Sequence, residues 1–574
     1  MKKYISIILT SLLMCSCVDT VILPDDKTVD EDFWQTKSDV SLMVNGAYKS
    51  MLNNELLLRL VVWGDFRSDE LVNVTSIKTT AYTTGLTEIG AANIQTTNTY
   101  SNWATLYSVI NNCNIVLEKA GAVRDIDPSY TDGDYLSDRS QMLALRSLCY
   151  FYLVRAFRDV PYSTVAYMNS SQEMNLPQTP PDVVLQNCIN DLVEAETNAL
   201  DPAAYTDWRR TGWINRDGIR AILADIYLWR ASVMHSASDY QMSSDYCDQI
   251  IASKKAQHIQ DPNEIELKEY PLADGTDAFG DLFITQNAEE SIFELQFNGT
   301  NNGNAGLCSA IYKWDTEHNS QIGYMQASPI YGTLAAGNVY EKQGDYRFLE
   351  NTYGVGSDAA SYDVRKMVET MRWFIGNPVG HTSQTRPGSR SYERYAQNYI
   401  IYRLSDIMLM KAEAMTQLAA DNTDSQLRNA FRLVQYVNNR SIYEGNLNND
   451  SLRWSQNNTK EAMETLVLKE RLRELSFEGK RWYDLLRYNY RHVEGIDYTK
   501  ILADQEAEGK AFVNNYTDMM SLMTRKYTSG GASVSSKMRT EPYLYMPVLQ
   551  SQMKINPLLK QNPAYEEGKE FEKQ

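Results

Sequence analysis

The hydrophobic residues of this chain recur mainly at the three- and four-residue spacing of amphipathic helices. Several of these stretches open with a polar cap residue, and one stops before the proline of an Asp-Val-Pro sequence. The pattern therefore predicts a mainly α-helical protein with long polar loops. The predicted helices are Ser38–Leu52, Asn102–Ala120, Arg139–Ser163, Asn215–His235, Asn398–Leu418 and Leu427–Arg440.

Two of the predicted helices share a sequence pattern. "LADIYLWRASV" at Leu223–Val233 and "LSDIMLMKAEA" at Leu404–Ala414 carry Asp, Ile and Leu in register. Repeated helical units of this kind indicate a tetratricopeptide-like array, in which helix pairs stack and bury a shared face. One further segment, Glu290–Phe297, alternates apolar and polar residues and is predicted to form a short strand.

The first apolar run, Tyr4–Met14, follows two lysines and is too short to span a bilayer, which takes about 20 residues. It is typical of a secretory signal. Cys15 and Cys17 come directly after it, and their spacing alone is compatible with a metal pair, a disulfide or lipid attachment. The small residue Ser16 before Cys17 resembles a bacterial lipobox. We therefore expect Cys17 to be lipidated and Cys15 to leave with the signal.

The formal net charge of −18 over 574 residues gives no basic footprint, which argues against nucleic-acid binding. The other cysteines and the histidines are scattered, without a CxxC or HExxH motif. Carboxylates cluster at Asp127–Asp138 and Asp274–Asp281, but neither stretch has the EF-hand spacing, so both are interpreted as acidic turns. No metal site is predicted.

Several blocks, in order along most of the chain, resemble the SusD/RagB family of outer-membrane nutrient-uptake lipoproteins. The most specific is "LVLKERLRELSFEGKRWYDLLRY" at Leu466–Tyr488. The other blocks are Glu31–Met51, Arg146–Tyr162, Glu289–Phe297, Ile400–Met415 and Pro542–Tyr565.

The resemblance implies a SusD-like fold with four tetratricopeptide-like helix pairs, long loops and a few short strands. It also implies a surface lipoprotein that covers a SusC-type TonB-dependent transporter, captures oligosaccharides and passes them to the barrel. Neither a cofactor nor catalysis is expected. The expected regions are a signal peptide (1–16), a lipid-anchored tether (17–30), an N-terminal helical region (31–300), a ligand-facing loop region (301–397) and a C-terminal helical region (398–574).

A glycan-binding site needs aromatic faces for sugar rings and planar hydrogen-bonding side chains for hydroxyl groups. Three loop regions offer both, at Val61–Thr99, Asn298–Tyr324 and Arg365–Tyr395. These regions were chosen by composition. The candidate ligand-binding residues are Asp65, Arg67, Asp69, Tyr82, Cys308, Trp314, Tyr324, Arg372, Trp373 and Tyr395.

Clustered carboxylates in Leu466–Tyr488 raise the alternative of catalysis. We interpret the charged residues of this segment as structural, with Gly479 ending a helix and Trp482 packing into the core. The residues concerned are Arg471, Glu474, Glu478, Arg481 and Asp484.

Two alternatives to a glycan-binding transport lipoprotein stay open: a peptide-capturing member of the same family, and a secreted glycoside hydrolase, which needs a pair of carboxylates across a cleft.

Overall fold

The computed structural model of this protein describes residues 33–566, apart from 75–78, 170, 261–267, 276, 312–313, 316–319, 322, 343, 353–363, 367–394, 511–516 and 528. The predicted lipidation residue Cys17 and the candidate residues Arg372 and Trp373 lie outside these ranges. Within them, every helix is too short or too polar to cross a bilayer.

Helices form most of the described chain, as predicted. In chain order they are α1 (Lys37–Met51), α2 (Asn54–Val61), α3 (Ala81–Gly90), α4 (Ala104–Ile126), α5 (Asp132–Phe157), α6 (Pro181–Asn198), α7 (Arg209–Gly212), α8 (Arg216–Met234), α9 (Ala237–Gln260), α10 (Ala305–Ile311), α11 (Arg347–Glu350), α12 (Leu404–Leu418), α13 (Ser425–Arg440), α14 (Leu447–Asp450), α15 (Lys460–Glu474), α16 (Arg481–Arg491), α17 (Leu502–Ala507), α18 (Thr517–Thr524), α19 (Gly531–Lys537) and α20 (Gln550–Ile555). A π-helical turn at Val62–Phe66 continues α2, and another lies at Gly280–Thr285.

The long helices pack in succession. α1 packs on α4, α4 on α5, α5 on α6, and α6 on α8. The series continues through α9 to α12, which also contacts α13 and α15. This succession of packed neighbours is consistent with the predicted tetratricopeptide-like array, in which each helix buries its apolar face against its neighbours.

The strands form two-stranded antiparallel sheets in the described chain. The strands are β1 (Leu71–Asn73), β2 (Val160–Pro161), β3 (Gln178–Thr179), β4 (Ser291–Leu295), β5 (Trp314–Asp315), β6 (Ser320–Gln321), β7 (Met325–Ala327) and β8 (Tyr399–Arg403). They pair as β1 with β7, β2 with β3, β4 with β8, and β5 with β6.

The strand predicted at Glu290–Phe297 is confirmed as β4, and its partner corrects another prediction. Residues Tyr399–Arg403, which were expected to open the helix Asn398–Leu418, instead form β8. The run Tyr-Ile-Ile-Tyr-Arg is buried throughout and rich in β-branched and aromatic residues, which favour a strand. The helical spacing begins only at Leu404.

The acidic stretch Asp127–Asp138 also differs from its prediction as a turn, because α5 begins inside it at Asp132. Thr131 and Asp134 form a capping box, in which each side chain binds the other residue's backbone N–H at 3.1–3.2 Å. Acidic side chains in the first turn are stabilised by the helix dipole. The carboxylates therefore start a helix here, and in the described residues no group of His, Cys, Asp or Glu is arranged to hold a metal ion.

A buried network of ion pairs joins α15 to the strands and to α11 and α13. Arg403 contacts Glu290 at 2.8 Å, Glu474 at 2.6 Å and Glu478 at 2.9 Å. Arg347 reaches Glu474 at 2.9 Å, and Arg440 pairs with the same carboxylate. Burial alone would raise the pKa of Glu474, but the guanidinium groups outweigh burial and hold it well below its ordinary value.

A second network is built around Arg471, one turn before Glu474 in α15. Arg471 contacts Asp406 and Asp484, each at 2.9 Å. Arg487 joins Asp484 to Glu413 at 2.7 and 2.8 Å. Burial acts to raise the pKa of Asp406, but Lys480 and Arg471 lower it to about 2. All these side chains are buried, which confirms the structural interpretation of the charged segment and places its carboxylates out of reach of a substrate.

The turn between α15 and α16 is locked against the π-helical turn after α2. A Cβ atom on Gly64 would lie 2.2 Å from the carbonyl oxygen of Gly479, which has φ +75°, so both positions require glycine. Asp65 accepts hydrogen bonds from the backbone N–H groups of Gly479 and Lys480 at 2.8 and 3.1 Å. Two regions more than 400 residues apart in sequence are thereby held in backbone contact. Trp482 is completely buried beside this turn, as predicted.

Asp65 also lies against a second buried carboxyl group, that of Glu70. Burial raises the pKa of Asp65 to about 7. Burial and the neighbouring Asp65 raise the pKa of Glu70 well above its ordinary value. The folded pair therefore keeps a proton at pH values where both carboxyl groups are ionised in the unfolded chain.

Replacing Arg403 with methionine is expected to lower the free energy of unfolding by about 3–5 kcal/mol, because Glu290, Glu474 and Glu478 would lose a buried partner. Urea denaturation followed by circular dichroism measures the change. Arg124→Met is the matched control, since Arg124 makes an exposed pair with Asp125, and it should leave the midpoint almost unchanged. Equal midpoints for the two variants would contradict a structural role for the network.

Glu70→Gln is expected to reduce the fall in the free energy of unfolding as the pH rises. Above about pH 5 the folded Asp65–Glu70 pair holds a proton that the unfolded chain has lost, so the contribution of the pair to stability falls with pH by up to about 1.4 kcal/mol per unit for each extra proton. The amide removes one such proton, so the variant should gain relative stability from pH 5 to 8. Denaturation midpoints measured across this range test the difference, with exposed Glu444→Gln as control. Parallel curves for Glu70→Gln and wild type would refute the shared proton.

Candidate ligand-binding site

The three loop regions singled out from the sequence converge on the short helix α10. Gly306 at its start donates a backbone hydrogen bond to the Asn54 side chain at the start of α2, at 3.2 Å. Asn304 donates to the carbonyl oxygen of Tyr395, at 2.8 Å, and Tyr324 to that of Ala310, also at 2.8 Å. These bonds bring three parts of the chain to α10: helix α2, which leads into the first region, the second region itself, and the end of the third region.

The pairing of β1 with β7 completes this junction. Residues Leu71–Asn73 run antiparallel to Met325–Ala327, and Val74 donates to the carbonyl oxygen of Tyr324 at 2.9 Å. This short sheet sets the first region beside the second. It explains why residues far apart in sequence form one surface.

Two candidate residues, Tyr82 and Tyr324, meet at this junction as a partly exposed aromatic pair. Their ring centroids lie 6.5 Å apart and their planes differ by 18°, so the rings are stacked. Buried Tyr100 packs its ring against Tyr82 at 6.2 Å, in an edge arrangement that fixes the pair from below. The pair presents rigid aromatic surface where the loop regions meet.

Polar groups surround the aromatic pair. The Tyr82 hydroxyl lies 3.5 Å from a carboxylate oxygen of Glu55, which Arg59 holds at 2.8 Å. Asn73 donates to the Thr87 hydroxyl at 3.2 Å. Partial burial raises the pKa of Tyr82, and the Glu55 carboxylate adds to the effect, so the phenol stays protonated and can donate a hydrogen bond. Rings bordered by acid, amide and hydroxyl groups are suited to binding a hydroxyl-rich ligand.

The structure places three other candidates in the interior. Asp65 binds the turn at Gly479. Asp69 forms a two-point ion pair with Arg481 at 2.8 and 3.1 Å. Arg67 lies over the Trp482 ring at 4.5 Å from its centroid and donates to the carbonyl oxygen of Tyr543. These side chains are buried because the π-helical turn and the residues directly after it run through the core, so the expectation that they face a ligand is not supported.

The remaining candidates fall into two groups. Cys308 is buried within α10, and Tyr395 is buried at the junction, with only 8% of its surface exposed. Both support the surface from beneath, which corrects their assignment as ligand-facing. Trp314 lies in β5, and its side chain, like Arg372 and Trp373, is outside the described residues. Of the ten candidates, the described structure therefore brings Tyr82 and Tyr324 together at a partly exposed surface.

Sequence reasoning missed Glu55, which contacts the Tyr82 hydroxyl, and Asn73, which lies opposite Met325, the residue after Tyr324. Glu55 has a local signal, the helical i,i+4 spacing to Arg59, but such pairs are common on helix surfaces. Asn73 is brought to the site by the pairing of β1 with β7, which requires knowledge of a partner strand some 250 residues away.

Two family models match this chain. The model described as "SusD family" matches residues 309–565, and the model described as "Starch-binding associating with outer membrane" matches residues 25–228. The two ranges do not overlap. Together they include β1, β7 and the end of α10.

Curated relatives match over most of the chain. SusD-like protein P38 of Formosa agariphila is 25% identical over 532 residues, covering 85% of this chain and 92% of the relative. SusD-like protein P2 of the same organism is 24% identical over 514 residues, covering 85% of this chain and 91% of the relative.

Solved structures share the fold. A SusD superfamily protein from Bacteroides thetaiotaomicron superimposes with a TM-score of 0.62 at 20% identity, covering 93% of this chain and 99% of the other. A protein described as "Laminarin binding SusD-like protein" gives a TM-score of 0.59 at 19% identity, covering 92% of this chain and 100% of the other. From the family models, the relatives and the shared fold, the chain belongs to the SusD-like family.

Proposed function

We propose that this protein is a lipid-anchored, outer-membrane glycan-binding protein that captures oligosaccharide at the cell surface and delivers it to a SusC-type TonB-dependent transporter. The observation that carries the proposal is the stacked, partly exposed pair Tyr82 and Tyr324, at the junction of the three loop regions. Membership of the SusD-like family supports it, as does the fold shared with a laminarin-binding protein.

The chemistry of the site favours binding over hydrolysis. A glycosidase holds two carboxylates about 5–10 Å apart across a cleft, one of them able to donate a proton. At the aromatic pair, the carboxylate that the structure describes is Glu55, which Arg59 neutralises. The carboxylates of the Leu466–Tyr488 segment are buried in ion pairs. We therefore propose a binding protein that releases its ligand unchanged.

We place the ligand against the Tyr82 and Tyr324 rings, with Glu55 and Asn73 at its edge. Stacking on a ring excludes water from the apolar face of a sugar, while the carboxylate and amide contact its hydroxyl groups. Trp314, Arg372 and Trp373 remain proposed contributors from the second and third loop regions.

Tyr82→Ala is expected to weaken glycan binding about tenfold or more, because about 1.4 kcal/mol of ring contact corresponds to a factor of ten. Isothermal titration calorimetry with laminarin and starch oligosaccharides, alongside peptides, measures the affinity. Tyr82→Phe is the matched control, since it keeps the ring and should bind within about threefold of wild type.

An unchanged affinity for Tyr82→Ala would place the site elsewhere. Saturable peptide binding without glycan binding would favour the peptide-capturing alternative. The appearance of shorter sugars during incubation would contradict a binding-only role. Matching thermal unfolding midpoints for wild type and both variants would exclude loss of folding as the cause.

Cys17→Ser is expected to move the protein from the membrane fraction to the soluble fraction, because the proposed acyl anchor would be lost. Cys15→Ser is the matched control and should leave the protein in the membrane. Affinity purification from mild detergent should recover the wild type with a large β-barrel protein. Membrane retention of Cys17→Ser would contradict the anchor, and recovery without a barrel would contradict the delivery step.

A further inference from the structure

A second aromatic surface lies in the segment Asp201–Trp213, between α6 and α8. Trp208 exposes 49% of its surface, whereas Trp63, Trp229 and Trp482 are completely buried. Among the described residues, the other strongly exposed large apolar side chains are aliphatic or methionine, such as Leu42 and Ile555. An indole is the largest apolar side chain, so a ligand that covers its exposed part removes a large apolar area from water.

The Trp208 ring is held in place. It lies over Gly212, where a Cβ atom would be 2.7 Å from the ring, so only glycine permits this approach. It meets Trp213 edge to face, at a centroid distance of 6.3 Å and an angle of 82°. Trp213 in turn stacks on Tyr48, whose hydroxyl is hydrogen-bonded inside the core. Trp208 is therefore the outer member of a cluster rooted in the core, with about half of its surface left to solvent.

The residues on either side of Trp208 in the chain carry planar polar groups that pair with each other. The Arg209 Nε donates to both carboxylate oxygens of Asp207 at 3.0 Å, and a terminal guanidinium nitrogen lies 2.9 Å from the same carboxylate. The guanidinium also lies over Trp213, 5.5 Å from its ring centroid. Both side chains are more than 40% exposed. Each keeps hydrogen-bonding positions that face water, and the ion pair orients the two groups toward each other.

This combination fits one chemical class of ligand, a pyranose sugar. A rigid aromatic face takes the C–H face of the ring, and a planar guanidinium–carboxylate pair can bind two neighbouring hydroxyl groups. A protein partner would need about 800 Å² of complementary surface. The exposed neighbours Thr206 and Asp207 give the Trp208 ring a polar border, which favours a hydroxyl-rich ligand.

The segment also adjoins the chain that leads to the candidate site. Gly212 packs against the side chain of Gln296, directly after β4. From there the chain runs through residues 297–304 into α10, where the loop regions converge. The aromatic surface at Trp208 thus shares a connected piece of structure with the site at Tyr82 and Tyr324.

We propose that Trp208, with Asp207 and Arg209, forms a second glycan-binding surface that holds a separate segment of a long polysaccharide. The proposal rests on the proposed function, since it assigns the same ligand class to another place. Two linked binding surfaces raise the apparent affinity for a polymer without altering that of either surface for a short chain. Trp208 should therefore matter for long glycans and not for the affinity of a short one at Tyr82 and Tyr324.

The test compares polymeric laminarin with a short laminari-oligosaccharide on the full chain. Trp208→Ala is expected to weaken retention in laminarin affinity electrophoresis about tenfold, and to leave the calorimetric affinity for the oligosaccharide at the Tyr82 site unchanged. Trp208→Phe keeps a ring and should recover most of the retention. Arg209→Met should weaken it without removing the ring, and exposed Ile555→Ala is the control for loss of apolar surface.

The outcomes separate this proposal from the proposed function. If the wild type binds glycan and Trp208→Ala is retained by the polymer as strongly as the wild type, the second surface alone is overturned. Residual retention by a Tyr82→Ala, Tyr324→Ala variant that disappears on adding Trp208→Ala would support it. No binding of any glycan by the wild type would overturn both. Unchanged retention, combined with loss of the co-purified barrel, would assign Trp208 to protein contact and overturn its glycan role.

Discussion

The carboxylate of Glu474, at the end of α15, is the point on which the arrangement of the C-terminal half depends. It accepts from Arg347, Arg403 and Arg440, which come from α11, β8 and α13. A single buried carboxylate could not remain ionised in an apolar interior, and the three guanidinium groups are buried because Glu474 and its neighbouring carboxylates balance their charge. The elements that carry these charges must therefore fold together, and their relative positions are fixed when the charges meet.

This constraint reaches the proposed ligand surface through short connections. Arg403 ends β8, which pairs with β4, and β4 leads through residues 297–304 to α10. Lys366, between two segments outside the described residues, donates to the backbone of Glu474 and to Glu478. The base of the third loop region is thus anchored in the charged core. A rigid base lets loop side chains bind a ligand with little loss of conformational freedom.

Residue types alone do not show which candidate side chains lie in the interior and which lie at the surface. Asp65, Arg67 and Asp69 have the composition of a ligand-binding loop, and their partners Gly479, Trp482 and Arg481 follow more than 400 positions later. Nothing within the local sequence distinguishes a carboxylate that faces a sugar from one that binds an internal arginine. Tyr82 and Tyr324 were singled out by the same criterion, and they differ because their rings stay partly outside the core.

The sequence by itself determined the helical periodicity, the caps and stops, the strand β4 and the motifs that resemble the family, because these depend on neighbours within a few turns of chain. It also indicated that the charged residues after Leu466 are structural, since their spacing is helical. Only the tertiary structure decided that Tyr399–Arg403 is a strand, that three acidic or basic candidates are buried, and that Tyr82 meets Tyr324. Each of these depends on a partner distant in the chain, and burial or exposure follows from which surfaces the packed helices cover.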